Sequence, residues 1–549
     1  MNGAQIVVEQ LIANGVETVF GYPGGAVLAL YDELYKYSDR INHVLTAHEQ
    51  GAAHAADGYA RASGKVGVVI ATSGPGATNL TTGIANAYLD SVPMVAITGN
   101  VPLSMHGKDS FQEVDIIGIT GPIIKHSFVV RDIITLEHTL NEAFRLANSG
   151  RCGPVLVDIP KNVQTDMYEY SGKVSAHKDA PAAPFDAKKL AEAIKGCKKP
   201  FIYAGGGVIA SGAGDELLEL SRRLSAPVGL SMMGLTALPH DYPLNLGMCG
   251  MHGKYASTVV ASECDLMIAL GVRFSDRATG NVGEYEKEKL IIHVDIDNAE
   301  IGKNVLPHIS ICGDVKDVLT QLLPLLPDTR NNEWLARVEE IRNAEAEQAF
   351  INGDFNPKTI MKAVGRHCDA DTVIATDVGQ HQMWTVQYYK FRKPGTLLTS
   401  GGLGAMGYGL GAAIGGCMAT QGRKTIMFTG DGSFGMNLIE LATAVTHKLP
   451  VTVIILNNGA LGLPYQWQHA FFSDRYSHSI LERKTDFVAL AKAFGANGHS
   501  VASISELEAV LANLPGDLPT VIDCRVDIEE KVLPMIPPGG SIKNMILKG

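Results

Sequence analysis

A chain of 549 residues, 46% hydrophobic and 19% charged, has apolar mass for three or four packed domains. Its formal net charge of −11 excludes a broad nucleic-acid-binding surface. No uninterrupted apolar run reaches the length of a membrane span, and eight scattered cysteines with no Cys-x-x-Cys point to reduced thiols rather than a disulfide framework.

The first predicted helix, Ala4 to Asn14, has no signal sequence ahead of it, so a cytoplasmic location is expected. Strands are then predicted at 17–20, 42–45, 66–71, 94–98 and 154–159. Apart from 42–45, their continuous β-branched runs suit a parallel sheet covered on both faces. This first block covers 1–170, and a polar, Pro/Ala-rich stretch at 171–187 reads as a linker. The second block, 188–325, has strand runs at 200–204, 266–270 and 291–295, the first two leading into Gly205-Gly206-Gly207 and Gly271. A charged helix, Asn332 to Gln348, is placed to bridge domains. The third block, 355–549, ends in a segment from Leu533 containing Pro537-Pro538-Gly539-Gly540, which reads as a tail or lid. The expected fold class is α/β, with three doubly wound parallel-sheet domains.

Two strings in the third block carry chemistry. Gly430-Asp431-Gly432-Ser433 follows the apolar run 424–429, and Asn457-Asn458 follows the run 451–456; Asn458 lies 27 residues after Asp431. A helix is predicted between them, at 438–447. Alone, either string is an ordinary turn or cap. Together they read strand, acid, helix, strand, amide, which sets two oxygen ligands side by side at the carboxyl edge of a parallel sheet. A hard cation such as Mg2+ takes one or two protein oxygens and completes its shell from a diphosphate. Upstream, the glycine-rich turn 400–406 ends in Met406, either a core filler or an apolar wedge against a cofactor. Glu49 follows the second predicted strand and opens a small-residue helix. It serves either the helix dipole or proton exchange with a ring nitrogen. His48-Glu49 and His54 do not make the His-Glu-x-x-His zinc motif.

Further strings make the likeness specific: the runs 19–26 and 48–61, Ser73 to Leu80, 111–115, Lys125-His126, 379–384 and Gln466-Trp467-Gln468. Over essentially its full length the chain resembles the catalytic subunits of acetohydroxyacid synthase (acetolactate synthase), a thiamine diphosphate (ThDP) family. The resemblance implies that Asp431, Asn458 and the carbonyl of Ala460 hold Mg2+. It implies that Gln380, His381, Gly404, Ala405, Met406, Gly432, Ser433, Gly459, Leu461, Gly462 and Leu463 line ThDP. Glu49 would sit on the pyrimidine ring, with Gln112 and Lys161 in the catalytic set. Arg277 would grip the carboxylate of a second 2-ketoacid, and Trp467 would press on its alkyl tail. The middle block resembles the family's FAD-binding domain, with Arg151, Gly205, Gly206, Gly207, Met251, His252, Gly271, Arg273, Asp295 and Asp314 at flavin positions. That FAD would have no net redox role.

The implied activity is decarboxylation of pyruvate and carboligation to a second 2-ketoacid, giving 2-acetolactate or 2-aceto-2-hydroxybutyrate for branched-chain amino acid biosynthesis. The implied assembly is a homodimer or tetramer whose sites combine Glu49 of one chain with the metal site of another, and a separate regulatory subunit. Four departures stand out: Leu463-Pro464-Tyr465 where the family has a Met-Val-Arg-like string, Gly121 for a large residue, Ser275 for Asp and Gly411 for Pro. A related ThDP lyase or decarboxylase, a flavin-dependent pyruvate oxidase and a catalytically silent ThDP-fold subunit stand as alternatives.

Overall fold

The first block makes a six-stranded sheet from β1 (Thr18–Gly21), β2 (Asn42–Leu45), β3 (Gly67–Ala71), β4 (Met94–Asn100), β5 (His126–Val129) and β6 (Pro154–Pro160). Every residue of β3, β4 and β6 is buried, because helices cover both faces and leave no room for a polar alternation. The middle sheet holds β7 (Pro200–Ala204), β8 (Val228–Leu230), β9 (Asn245–Met248), β10 (Leu266–Leu270), β11 (Leu290–Asp295) and β12 (Ile309–Cys312). The third holds β13 (Val373–Thr376), β14 (Leu397–Leu398), β15 (Thr425–Gly430), β16 (Val451–Asn457), β17 (Asn497–Val501) and β18 (Thr520–Arg525). The computed structural model describes residues 1–172, 184–347, 353–421 and 423–548, and among these every strand pairing is parallel. Most of the expected linker, and the last residue of the helix expected to end at Gln348, lie outside the described residues. The expected α/β class with three parallel sheets is borne out.

Strand order is β2-β1-β3-β4-β6-β5 in the first sheet and β14-β13-β15-β16-β18-β17 in the third. These are the same order in corresponding strands. The middle sheet, β9-β8-β7-β10-β11-β12, has the order of dinucleotide-binding folds.

The outer domains meet through two small-residue helices, Glu49–Ser63 and Tyr408–Thr420. A Cβ on Gly415 would lie 1.9 Å from the carbonyl oxygen of Ala55, and one on Gly58 would lie 2.2 Å from that of Ala412. Glycine is therefore required on both sides of this crossing. Gly411, where the family has Pro, belongs to it: its Cβ would come within 2.8 Å of the Gly51 carbonyl oxygen.

The charged helix runs Asn332–Glu347. It buries Trp334, Val338 and Ile341 against the middle domain, and the Trp334 indole donates to the carbonyl of Pro200 at 3.0 Å. Its apolar face packs on the middle domain. The C-terminal segment is also packed: Ile536 N–H donates to the Met251 carbonyl, and Asn281 N–H donates to that of Gly540, both at 2.9 Å.

Gly415→Ala is expected to destabilise the chain by about 1–3 kcal/mol, because backbone blocks the added methyl and overpacking outweighs the gain in helix propensity of about 1 kcal/mol. Gly121→Ala, whose Cβ meets nothing within 4 Å, is expected to change stability by less than about 0.5 kcal/mol. Chemical-denaturation midpoints of the two variants check both.

Candidate active site

In the third sheet β13 and β15 are neighbours, and strand order reverses between them. Ligands of open α/β sheets bind at such a switch point, beyond the carboxyl ends of the strands. Here β13 leads through Asp377-Val378-Gly379 into the helix Gln380–Tyr388, β15 runs directly into the helix Asp431–Asn437, and β16 passes through Asn458 to Leu461 into the helix Gly462–Phe471. The helix expected at 438–447 is a 3-10 turn, Leu438–Glu440, followed by an α-helix, Leu441–Thr446. The additional helix at Asp431 comes before it.

A cavity of about 170 Å3 opens at this point. Gln380, His381, Gly404, Met406, Gly432, Ser433, Asn458, Ala460, Leu461, Gly462 and Leu463 all line it. Asp431, Ala405 and Gly459 are their chain neighbours. Asp431 is buried, its Oδ1 has no partner, and burial raises its carboxyl to about 6. A buried, unpartnered carboxylate oxygen is costly unless a cation meets it. Among the described residues no group of three or more His, Cys, Asp or Glu side chains is placed to hold a metal alone. A cation at Asp431 therefore draws on amide, carbonyl and ligand oxygens, the donors Mg2+ favours.

The surroundings close tightly on this point. His381 is buried, its Nε2 lacks a partner, and burial lowers its pKa to about 3, so the ring is neutral. A Cβ on Gly430 would stand 2.9 Å from His381 Nδ1, and one on Gly462 would stand 1.9 Å from Gln380 Oε1. Asn458 Nδ2 donates to that Gln380 oxygen at 3.0 Å. Segment 459–461 is held by Leu461 N–H on the Ser479 carbonyl (2.7 Å) and Leu481 N–H on that of Gly459 (2.8 Å). Glycine-lined backbone around an unneutralised carboxylate fits a diphosphate with its divalent ion.

Gly404, Leu463 and Pro464 also line a second cavity of about 920 Å3, between the middle and third domains. Met251, His252, Arg273 and Arg277 line it from one side, and Trp467 from the other. Arg277 is exposed, and its guanidinium lies 5.9 Å over the Trp467 ring. Its polar contacts are Met251 Sδ at 3.6 Å and exposed Asp276 at 3.8 Å, so its fork is open to a carboxylate. Pro464 lies in the first turn of its helix, where a backbone N–H would have no intrahelical partner. Tyr465 lines neither cavity; its hydroxyl donates to Glu529 at 2.6 Å and its ring stacks on Tyr476 at 4.4 Å.

The remaining candidates lie elsewhere. Glu49 is the buried first residue of its helix and accepts from Asn79 Nδ2 at 2.9 Å. Gln112 adopts a left-handed conformation, φ 61°, and Lys161 is exposed at a helix start. None of these three lines either cavity. Gly207 and Gly271 pack on each other, a Cβ on either falling 2.5–2.6 Å from the other's Cα. Gly205 and Gly206 begin the same turn. Arg151 binds Ser91, Asp297 and Glu300. Asp295, raised to about 6 by burial, accepts from Asp297 N–H, and Asp314 caps the helix Val315–Leu322.

Sequence reading missed two buried carboxylates that hold backbone next to candidate residues. Asp377, directly after β13, accepts from the N–H groups of Gly407 (2.8 Å) and Gly409 (3.0 Å). An acid ending an apolar strand run, as at Asp431, was its signal. Glu440 accepts from the N–H groups of Ala47 (3.1 Å) and His48 (3.0 Å), next to Glu49; nothing local announces it.

Three family models match, one in each of the three blocks: the thiamine pyrophosphate enzyme N-terminal TPP binding domain over 1–119, the central domain over 187–322 and the C-terminal TPP binding domain over 377–524. The switch-point cavity and these matches define a thiamine diphosphate enzyme. The probable acetolactate synthase large subunit of Methanocaldococcus jannaschii is 44% identical, over all of this chain and 95% of that protein. The acetolactate synthase isozyme 1 and isozyme 2 large subunits of Escherichia coli are 44% and 43% identical, over 99% and 100% of this chain and 97% and 100% of those proteins. The chain belongs to the acetolactate synthase large-subunit family.

Asp431→Asn is expected to raise the dissociation constant of ThDP in the presence of Mg2+ by at least about tenfold, about 1.4 kcal/mol, and to remove the dependence of ThDP binding on Mg2+. Isothermal titration with and without Mg2+ checks both.

Proposed function

We propose that this chain decarboxylates pyruvate and joins the two-carbon unit to a second 2-ketoacid, making 2-acetolactate, or 2-aceto-2-hydroxybutyrate when the acceptor is 2-ketobutyrate. One observation carries this reading: the cavity beside the unpartnered Asp431 oxygen shares Gly404, Leu463 and Pro464 with the cavity where Arg277 stands open above Trp467. An anionic cofactor site thus adjoins a site for a carboxylate with an alkyl tail.

In this reading Asp431, Asn458 and the Ala460 carbonyl hold Mg2+, and Gly432, Ser433 and His381 surround the diphosphate. When bound, ThDP supplies the electron sink for decarboxylation and the nucleophilic carbon for carboligation. Met406, on the cavity wall, would supply apolar surface against the bound cofactor. His381, kept neutral by burial, adds no positive charge beside the phosphates. Arg277 takes the acceptor's carboxylate in a bidentate fork. Trp467 bears on the tail one methylene further out, a preference of about 1–3 kcal/mol. Leu463 and Pro464, which line both cavities, present apolar surface there, which disfavours water at the reacting carbon.

Glu49, Gln112 and Lys161 line neither cavity of their own chain. A second copy supplying Glu49 to the pyrimidine ring accounts for this, so a homodimer is the proposed minimal unit. FAD is proposed for the larger cavity, against Met251, His252 and Arg273, without a redox step. The relatives are named large subunits, which supports a separate regulatory partner. Among the described residues no helix is long and apolar enough to cross a membrane, and a cytoplasmic enzyme of branched-chain amino acid biosynthesis is the proposed setting.

Pyruvate, ThDP and Mg2+ are expected to yield acetolactate, detected as acetoin after acid treatment; acetaldehyde instead would mark a decarboxylase, and peroxide an oxidase. Trp467→Leu is expected to lower the preference for 2-ketobutyrate over pyruvate about tenfold in a competition assay. Arg277→Ala is expected to lower carboligation about 100-fold, about 2.7 kcal/mol, while decarboxylation persists as acetaldehyde release.

A further inference from the structure

The loop 400–407 brings Gly404, Ala405 and Met406 to the smaller cavity, yet it contains four glycines and no helix or strand. Such a segment has high conformational entropy unless something outside it fixes its path. Asp377 fixes its far end. Its near end is fixed from the first domain. Asp90 Oδ2 accepts from Gly401 N–H at 3.0 Å and Asp90 Oδ1 from Gly402 N–H at 2.7 Å.

Asp90 is itself held. Arg61 Nη2 donates to Asp90 Oδ2 at 2.9 Å, and Arg61 Nε donates to Asp57 Oδ1 at 2.6 Å. Both carboxylates have side-chain exposures of 0%. Asp57 also accepts from Asn86 Nδ2 (3.1 Å) and the Tyr408 hydroxyl (2.6 Å). Ser400 Oγ donates to Asn86 Oδ1 at 2.5 Å and accepts from Ala405 N–H at 2.8 Å. The network thus begins on a first-domain helix and ends on three backbone amides of the loop. The glycines match it: a Cβ on Gly402 would lie 2.9 Å from Leu89 Cβ and 3.0 Å from Asp90 Oδ1, and one on Gly401 would lie 2.4 Å from Met233 Sδ.

A buried ion pair is weak ground for stability, since well-packed apolar groups often do as well. What apolar groups cannot do is present two acceptor oxygens to two adjacent amides. We propose that Asp90 is a positioning residue of the cofactor site, setting through Gly401 and Gly402 the loop that presents Met406, with Arg61, Asp57, Asn86 and Ser400 fixing its orientation. This rests on the reading of the smaller cavity as the ThDP site.

The test is Asp90→Asn in the full chain. An amide offers one acceptor oxygen where the carboxylate offers two, so one glycine N–H loses its partner. Trp384 lines the smaller cavity and reports binding by fluorescence, so ThDP is titrated at saturating Mg2+ while thermal stability is measured on the same sample. The expected result is a rise of about tenfold in the ThDP dissociation constant, about 1.4 kcal/mol, with the fold retained. An unchanged dissociation constant with a lowered melting temperature would make the network structural only and overturn the proposal. If Asp90→Asn does not fold, Ser400→Ala decides: about a threefold rise supports the proposal, and wild-type affinity overturns it. Wild-type chain that binds no ThDP overturns the cofactor reading and this inference together. Wild-type chain that binds ThDP but makes no acetolactate overturns the proposed reaction alone, and the affinity comparison still decides this one.

Discussion

A carboxylate oxygen buried without a partner, Asp431 Oδ1, is the constraint on which the site depends. Burial that raises this carboxyl to about 6 disfavours its charged form until a cation arrives. The sheet puts it there: β15 ends at a strand-order reversal, and the next helix begins with the acid itself. The cavity beside it is lined by amides, carbonyls and glycines and by no Asp or Glu. That donor set suits a hard cation completed by a diphosphate, and it leaves little to hold a metal by itself.

How much was legible followed from how local the signal was. Strands β3, β4, β6, β7, β10 and β16 showed in the sequence because burial on both faces demands unbroken apolar runs. Edge strands β5 and β17 did not, since His126, His499 and Ser500 face solvent and break the pattern. The helix at Asp431 was hidden by Gly432, Gly435 and Asn437, residues more usual in loops. Asp431 and Asn458 were visible because each directly follows a strand. The Arg277–Trp467 and Asp90–Gly401 contacts were not, because 190 and 311 residues separate the partners. The shared strand order of the first and third domains also left no repeat in the sequence.

The middle domain shows that fold and chemistry are separate matters. Its strand order is that of dinucleotide-binding sheets. Yet Gly207 and Gly271 hold two strand ends against each other, and Asp314 caps a helix. Of its candidate flavin residues, Met251, His252 and Arg273 line the large cavity, beside Arg277. The first domain contributes at a distance in a similar way: Glu440 grips the backbone beside Glu49, and the Asp57–Arg61–Asp90 network reaches the loop of Met406. In both places a buried carboxylate of one domain accepts from backbone amides of the other.

The most direct measurement is anomalous diffraction from crystals grown with ThDP and Mn2+ in place of Mg2+. One strong peak per chain is expected within coordination distance of Asp431 Oδ1, the Asn458 side chain and the Ala460 carbonyl, with Glu49 of a second copy at the pyrimidine ring. A peak away from Asp431, or ThDP bound with that carboxylate still unpartnered, would contradict it.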